Sequence, residues 1–162
     1  MLQKKICILG GTAVGKTSLV KQFVEGIFSD KYLTSIGVKI DKRQVESQPP
    51  VQLMIWDLEG IDKYCGFNPR YLRGASAMII VTDQTRLNSL SESLEIFSLA
   101  KKASDIPSIL AINKTDMPES MKWGESNLQT HASQFDEIHF TSAKTGIAVE
   151  NLFTSIAKLV TK

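Results

Sequence analysis

Gly10-Gly11-Thr12-Ala13-Val14-Gly15-Lys16-Thr17 follows the apolar run Ile6-Cys7-Ile8-Leu9 and precedes the helical pattern of Leu19, Val20, Phe23 and Val24. It has the form Gly-x-x-x-x-Gly-Lys-Thr, a phosphate-binding loop between a strand and a helix. Gly10 and Gly15 allow positive φ and let backbone N–H groups approach a phosphate with no Cβ in the way. The helix that follows contributes unpaired N–H groups and the positive end of its dipole. Lys16 supplies a point charge for the outer phosphates, and the Thr17 hydroxyl can ligand a magnesium ion. Gly11, Thr12, Ala13, Val14, Gly15, Lys16, Thr17 and Ser18 are therefore the expected phosphate-binding residues. The competing reading is a Gly-rich turn that happens to precede a helix, and four fixed positions with the right flanks speak against it. The motif points to a nucleoside triphosphate without choosing the base.

Composition bounds what this loop can belong to. The chain has 162 residues, 43% hydrophobic and 22% charged, which fits one globular domain over 1–162 with a substantial core. Lysine and arginine total 19 against 17 for aspartate and glutamate, a formal charge of +2, with no basic run interleaved with aromatics, so nucleic acid is not an expected partner. The two cysteines, Cys7 in an apolar strand and Cys65 in a polar loop, make no disulfide framework, and a reducing, cytoplasmic compartment is expected. No signal-peptide plan, no myristoylation glycine and no apolar stretch near the ~18 residues of a bilayer span is present. The final Leu-Val-Thr-Lys holds no cysteine for a prenyl group. A soluble monomer is the expectation.

Lys4 to Leu9, with its apolar run from Ile6, reads as a buried strand of a parallel sheet, followed by a helix from about Gly15 to Val24. Val38 to Val45, weakened in its alternation by Lys42 and Arg43, suits an edge strand. Pro49-Pro50 breaks the chain before a strand over Val51 to Asp57, so these two strands form an antiparallel hairpin. A short helix is predicted near Pro69 to Arg73 and a buried strand over Ala77 to Asp83. Ser89-Leu90-Ser91-Glu92 has capping-box spacing and opens a helix with Leu90, Leu94 and Phe97 on one face. Ser108 to Ile112 is a strand ending at Asn113, Ser126 to Phe135 a helix with a broad polar face, and Ile138 to Thr141 the last strand. Val149, Leu152, Phe153, Ile156, Ala157 and Val160 stripe the final helix. The result is an α/β, doubly wound, mostly parallel six-stranded sheet with about five helices and right-handed crossovers. Ligands of such sheets sit at the carboxyl ends of the strands, where the phosphate loop lies.

Three further motifs fall at strand ends. Asp57-Leu58-Glu59-Gly60 offers a carboxylate for magnesium and a glycine N–H for a terminal phosphate. Asn113-Lys114-Thr115-Asp116 and Thr141-Ser142-Ala143-Lys144 close later strands. With these motifs in order, the chain resembles the Ras-like small GTPases (the P-loop NTPase, small G-protein fold) over nearly its whole length. It is most similar to the Rab branch in Tyr32-Leu33-Thr34-Ser35-Ile36-Gly37-Val38 and Tyr71-Leu72-Arg73-Gly74-Ala75, while Trp56 before Asp57 resembles Arf and Roc-type members.

The resemblance implies a site for GTP or GDP with Mg2+. Asp116 would accept a bidentate pair from the N1–H and 2-amino group of guanine, which adenine cannot offer. Asn113 would tie the base loop to the phosphate loop, Lys114 would lie along the base, and the Ala143 N–H would meet guanine O6, with Ser142, Lys144 and Asp30 completing the guanine and ribose site. Phe28 would pack on the ring, or is a core phenylalanine. The metal ligands would be Thr17, Asp57 and Ser35, which stands where the family has threonine; Thr34 could substitute. Lys16 and Gly60 would serve catalysis.

Ile61 occupies the position of the glutamine that orients the attacking water, and an isoleucine can neither accept nor donate a hydrogen bond. Thr12 replaces a glycine of Ras itself. Glu59 brings a carboxylate near the terminal phosphate, a repulsion of order 4 kcal/mol at ~4 Å, so it is expected to point away. His131 and His139 lack metal-ligand spacing. Trp123 receives no role. The expected function is a molecular switch that binds GTP/GDP, hydrolyses GTP very slowly without a partner, and acts in signalling or trafficking. Its effectors, exchange factors and GTPase-activating proteins would dock on residues 30–45 and 58–73. The alternative is a non-hydrolysing GTP-dependent scaffold, or the Roc-like domain of a larger protein.

Overall fold

The computed structural model describes residues 1–26, 37–59 and 68–162. One six-stranded sheet organises them, made of β1 (Leu2–Gly10), β2 (Gly37–Val45), β3 (Val51–Glu59), β4 (Ala75–Asp83), β5 (Ser108–Asn113) and β6 (Glu137–Phe140), in the order β2-β3-β1-β4-β5-β6. β2 pairs antiparallel with β3 as the hairpin pattern predicts, with Gly37 opposite Glu59 and Val45 opposite Val51. All other pairings are parallel. The chain leaves β1 toward β3 on one side and β4 on the other, so the carboxyl end of β1 is the crevice in which such sheets hold ligands.

Each central strand carries an unbroken apolar run, Ile6 to Leu9 in β1, Ala77 to Val81 in β4 and Ile109 to Ile112 in β5, because both its faces are covered there. Ile6 and Ile8 of β1, Ala77, Ile79 and Val81 of β4, and Ile109 and Ala111 of β5 face one layer, formed by α1 (Lys16–Glu25) and α3 (Val149–Val160). Cys7 and Leu9, Met78 and Ile80, and Leu110 and Ile112 face the opposite layer, where α2 (Leu87–Ala103) supplies Leu90, Ile96, Phe97 and Ala100. The α3 stripe is buried as its periodicity predicts, and Phe153 stacks on Phe23 of α1 with ring centroids 4.0 Å apart. Arg43 of β2 lies over the Phe23 ring, donates to the Phe23 carbonyl at 2.7 Å and forks onto both carboxylate oxygens of Glu150.

Of the five helices that the sequence predicts, three are α-helices. The segment near Pro69 is a single 3-10 turn, Pro69–Leu72, capped by the Asn68 side chain. The helix expected over Ser126 to Phe135 does not form; short 3-10 turns at Glu125–Asn127 and Ala132–Gln134 take its place. It buries only Leu128 and Phe135, seven positions apart with mostly polar residues between them, and so sparse an apolar face has little to hold an α-helix together. The capping box at Ser89 is also corrected. α2 begins at Leu87 after Arg86, and no side chain caps it. The Ser89 hydroxyl is spent on the end of β4 instead, accepting from the Asp83 N–H at 2.9 Å and lying 2.9 Å from the Thr82 hydroxyl.

Candidate functional site

The phosphate loop lies between β1 and α1 with Ala13 at φ 60° and Gly15 at φ 97°. A Cβ at Gly15 would also collide with the Asn113 amide nitrogen, so glycine is required there twice over. The loop is held from several elements. The Gly11 N–H donates to Ser93 Oγ of α2 at 3.1 Å, and that hydroxyl donates to the Val81 carbonyl at 2.6 Å. Lys16, buried at 3% exposure, places its ammonium 3.2 Å from the Gly10 carbonyl and 2.9 Å from that of Gly11.

Thr17, in the first turn of α1, donates from Oγ1 to Asp57 Oδ2 at 2.7 Å. Both residues are buried. The pair offers only hard oxygen donors, one of them an anionic carboxylate, which fits a magnesium ion and not a soft metal. Phe28, Asp30, Thr34, Ser35, Gly60 and Ile61 lie outside the described residues, as does the side chain of Glu59.

Asn113 is the hub at the other end. Its Nδ2 donates to the Val14 carbonyl at 3.0 Å, while its Oδ1 accepts from the Ala143 N–H at 3.2 Å and the Thr141 hydroxyl at 3.3 Å. One buried amide thus holds the phosphate loop, β5 and the loop after β6 together. Asp116 Oδ1 accepts from Ser142 Oγ at 2.8 Å, and that hydroxyl accepts from the Thr145 N–H. Gln22 of α1 adds a bond to the Ala143 carbonyl at 2.8 Å. Lys114, at φ 70°, extends its ammonium to Asp83 Oδ2 at 2.7 Å and to the Ala13 carbonyl at 3.4 Å. Lys144 is exposed, and so is Thr12.

Sequence reasoning misses the group around Asp83, which reads only as the end of a strand. Its carboxylate is fully buried and meets Lys114, Arg86 and both the N–H and hydroxyl of Thr85. Burial pushes the Asp83 carboxyl up, but the hydrogen bonds from Lys114, Thr85 and Arg86 outweigh it and hold the group below its ordinary value. Trp123, without a role in the sequence, donates from Nε1 to the Asp83 carbonyl at 2.9 Å and packs on the α2-side core. Nothing in one sequence marks these contacts except an oddly large apolar residue in a polar loop.

Of the docking surface expected over 30–45 and 58–73, the described part includes β2, where Ile40 is 47% exposed; opposite it on β3, outside the expected ranges, stands Trp56 with the Lys5 ammonium 3.8 Å over its ring. Among the described residues no helix is long and apolar enough to cross a membrane.

Comparison with known proteins agrees with this geometry. A family model described as the Ras family matches residues 5–162. The chain is 33% identical to the Ras-related protein RABE1d of Arabidopsis thaliana, over 95% of this chain and 74% of that protein. It is 35% identical to the GTP-binding protein ypt5 of Schizosaccharomyces pombe, over 97% of this chain and 77% of that protein. It is 32% identical to the Ras-related protein RAB1BV of Beta vulgaris, over 95% of this chain and 74% of that protein. With a match that runs from β1 to the end of α3, the chain belongs to the Ras family of small GTPases, on its Rab-like branch.

Proposed function

We propose that residues 1–162 form a single guanine-nucleotide-binding domain that works as a switch of the Ras/Rab type, binding GTP or GDP with Mg2+ and hydrolysing GTP slowly. The observation that carries this reading is the Asn113 amide, which joins Val14 of the phosphate loop to Ala143 of the base loop and so fixes the span between a phosphate site and a base site. Asp116, oriented by Ser142, is the carboxylate that reads the guanine N1–H and 2-amino group. Thr17 and Asp57 hold Mg2+, with Ser35 joining them from residues outside those described. Bound there, the cation neutralises charge on the outer phosphates, and Lys16 adds a second positive charge. Gly60 and the loop amides position the terminal phosphate.

Ile61 leaves the attacking water without a side chain to orient it, which supports slow intrinsic turnover. The domain acts as a cytoplasmic monomer whose signal passes through effectors, exchange factors and GTPase-activating proteins on residues 30–45 and 58–73. The Ras-family match over residues 5–162 and the likeness to Rab-type proteins support the switch over the scaffold alternative.

Competition titration in the presence of magnesium tests the base assignment. GDP and GTP bind at least about a thousandfold tighter than ATP, a floor below the ~10⁴–10⁵ that a site built to hydrogen-bond one ligand can reach. Asp116→Asn moves the preference toward xanthine nucleotides, because an amide can donate to the added oxo group. Comparable ATP and GTP affinities overturn the reading.

A further inference from the structure

Three successive carbonyls of the phosphate loop are tied from outside by three side chains. Arg86 Nη2 donates to Thr12 O at 2.8 Å, Lys114 Nζ reaches Ala13 O at 3.4 Å, and Asn113 Nδ2 donates to Val14 O at 3.0 Å. None of the peptide bonds concerned is cis. In a planar trans peptide the carbonyl and the N–H of the next residue point in opposite directions. Holding the Thr12, Ala13 and Val14 carbonyls outward therefore turns the N–H groups of Ala13, Val14 and Gly15 to the opposite side. Positive φ at Ala13 and Gly15 produces the alternation in which consecutive N–H groups converge on one anion.

Two of the three ties share an anchor. Asp83 Oδ2, at the end of β4, accepts from Lys114 Nζ at 2.7 Å and from Arg86 Nε at 3.1 Å. Arg86 is 42% exposed on its side chain, whereas Asp83 is not exposed at all. A partly exposed guanidinium is thus pinned through Nε by a buried carboxylate, and Nη2 of its fork is aimed at a single loop carbonyl. Arginine suits this task because its donors are rigidly coplanar and can serve two acceptors at once, which a lysine ammonium does with less directional control.

We propose that Arg86 is a positioning residue for nucleotide phosphate, a strut that sets the Thr12–Ala13 peptide and thereby the aim of the Ala13 N–H, with Asp83 as its buried post. The proposal rests on the guanine-nucleotide reading and adds to it a residue outside the loop motifs. Arg86 touches neither phosphate nor base in this role. Its effect reaches the ligand through the loop backbone, so it bears on phosphate binding and not on the choice of base.

The test measures release of a fluorescent GDP from the full chain, with equilibrium affinities for GDP, GMP and xanthosine diphosphate and a urea unfolding curve for each variant. Arg86→Ala releases GDP about tenfold faster, the factor that 1.4 kcal/mol represents. Its unfolding midpoint falls only slightly, since Asp83 keeps Lys114 and Thr85 as partners, its GMP affinity falls less than its GDP affinity, and its preference for guanine over xanthine is unchanged. Arg86→Lys, which restores a donor, releases at a rate between the two. Unaltered GDP release, or equal losses for GDP and GMP, overturns the proposal. If the alanine variant does not fold, release from the lysine variant at the unaltered chain's rate overturns it as well. Failure of the unaltered chain to bind GDP overturns the guanine reading and this proposal together, whereas GDP binding with release indifferent to Arg86 overturns this proposal alone.

Discussion

Thr17 Oγ1 donates to Asp57 Oδ2 at 2.7 Å, joining the first turn of α1 to the end of β3 across 40 positions of chain. Hydroxyl and carboxylate are thus together in the protein alone, and the two would supply oxygen ligands to a divalent cation held there. Asp57→Asn removes the negative charge while keeping the shape. In the unaltered chain, chelation of magnesium accelerates GDP release; in the variant the rates with and without chelator converge. A full chelator effect in Asp57→Asn would show that magnesium is held elsewhere.

Asp83 makes stability depend on pH in a direction that can be stated. Its folded pKa lies below the ordinary 3.8, so as pH falls the unfolded chain takes up the proton first. The contribution of the carboxylate is therefore complete above the ordinary value and is lost as pH falls through the folded one. Asp83→Asn costs roughly 1–3 kcal/mol at neutral pH, since it leaves Lys114 and Arg86 without their counter-charge, tempered by their partial exposure. Urea midpoints of the two proteins differ by a constant amount down to about pH 5 and converge below that. A gap that persists undiminished at the lowest pH would assign the stabilisation to something other than the charge.

Gly15→Ala strains the loop in two ways, through φ 97° and through the collision of the new Cβ with the Asn113 amide. The expected cost is about 1–3 kcal/mol. Because Asn113 must move, its bond to Val14 O weakens too, and GDP affinity falls along with the thermal midpoint. A variant with unchanged midpoint and unchanged affinity would mean that the loop relaxes freely.

Turnover is expected to respond to Ile61. Replacing it by glutamine supplies a side chain that can hold water in line behind the terminal phosphate, so single-turnover GTP hydrolysis rises while GTP affinity changes little. The remaining acceleration available to the family comes from an arginine offered by a partner, worth about 10³–10⁵ in rate. Equal hydrolysis by the unaltered chain and Ile61→Gln would turn attention to Asp62 and Glu59.

The strands, α1, the α3 stripe and the Asn113 to Asp116 motif are legible in the sequence because each is a local pattern. Apolar runs, a 3.6-residue period or fixed spacing announces them over a few positions. Ser89 misleads for the opposite reason. Its spacing to Glu92 is that of a cap, yet its hydroxyl meets Thr82 and Asp83 across the junction with β4, a choice made by tertiary neighbours. Asp83 is hidden in the same way, since Lys114 lies 31 positions away and the carbonyl that Arg86 reaches is 74 positions from it. Between Gly124 and Phe135 the polar residues carry no period that favours α over 3-10 geometry, so only the packed chain decides.

The alternation of Ile6 and Ile8 with Cys7 and Leu9 loads one strand onto two separate cores, and β4 beside it and β5 beyond β4 do the same. Inserting or deleting one residue inside any of these strands would exchange the cargo of its two faces, sending side chains fitted against α1 and α3 toward α2 and the reverse. Gain or loss of a residue is consequently confined to the connections. The exposed turn between Val45 and Val51 can lengthen without re-sorting any side chain, whereas a one-residue insertion at Cys7 would disturb both layers at once and shift the phosphate loop at the end of the strand.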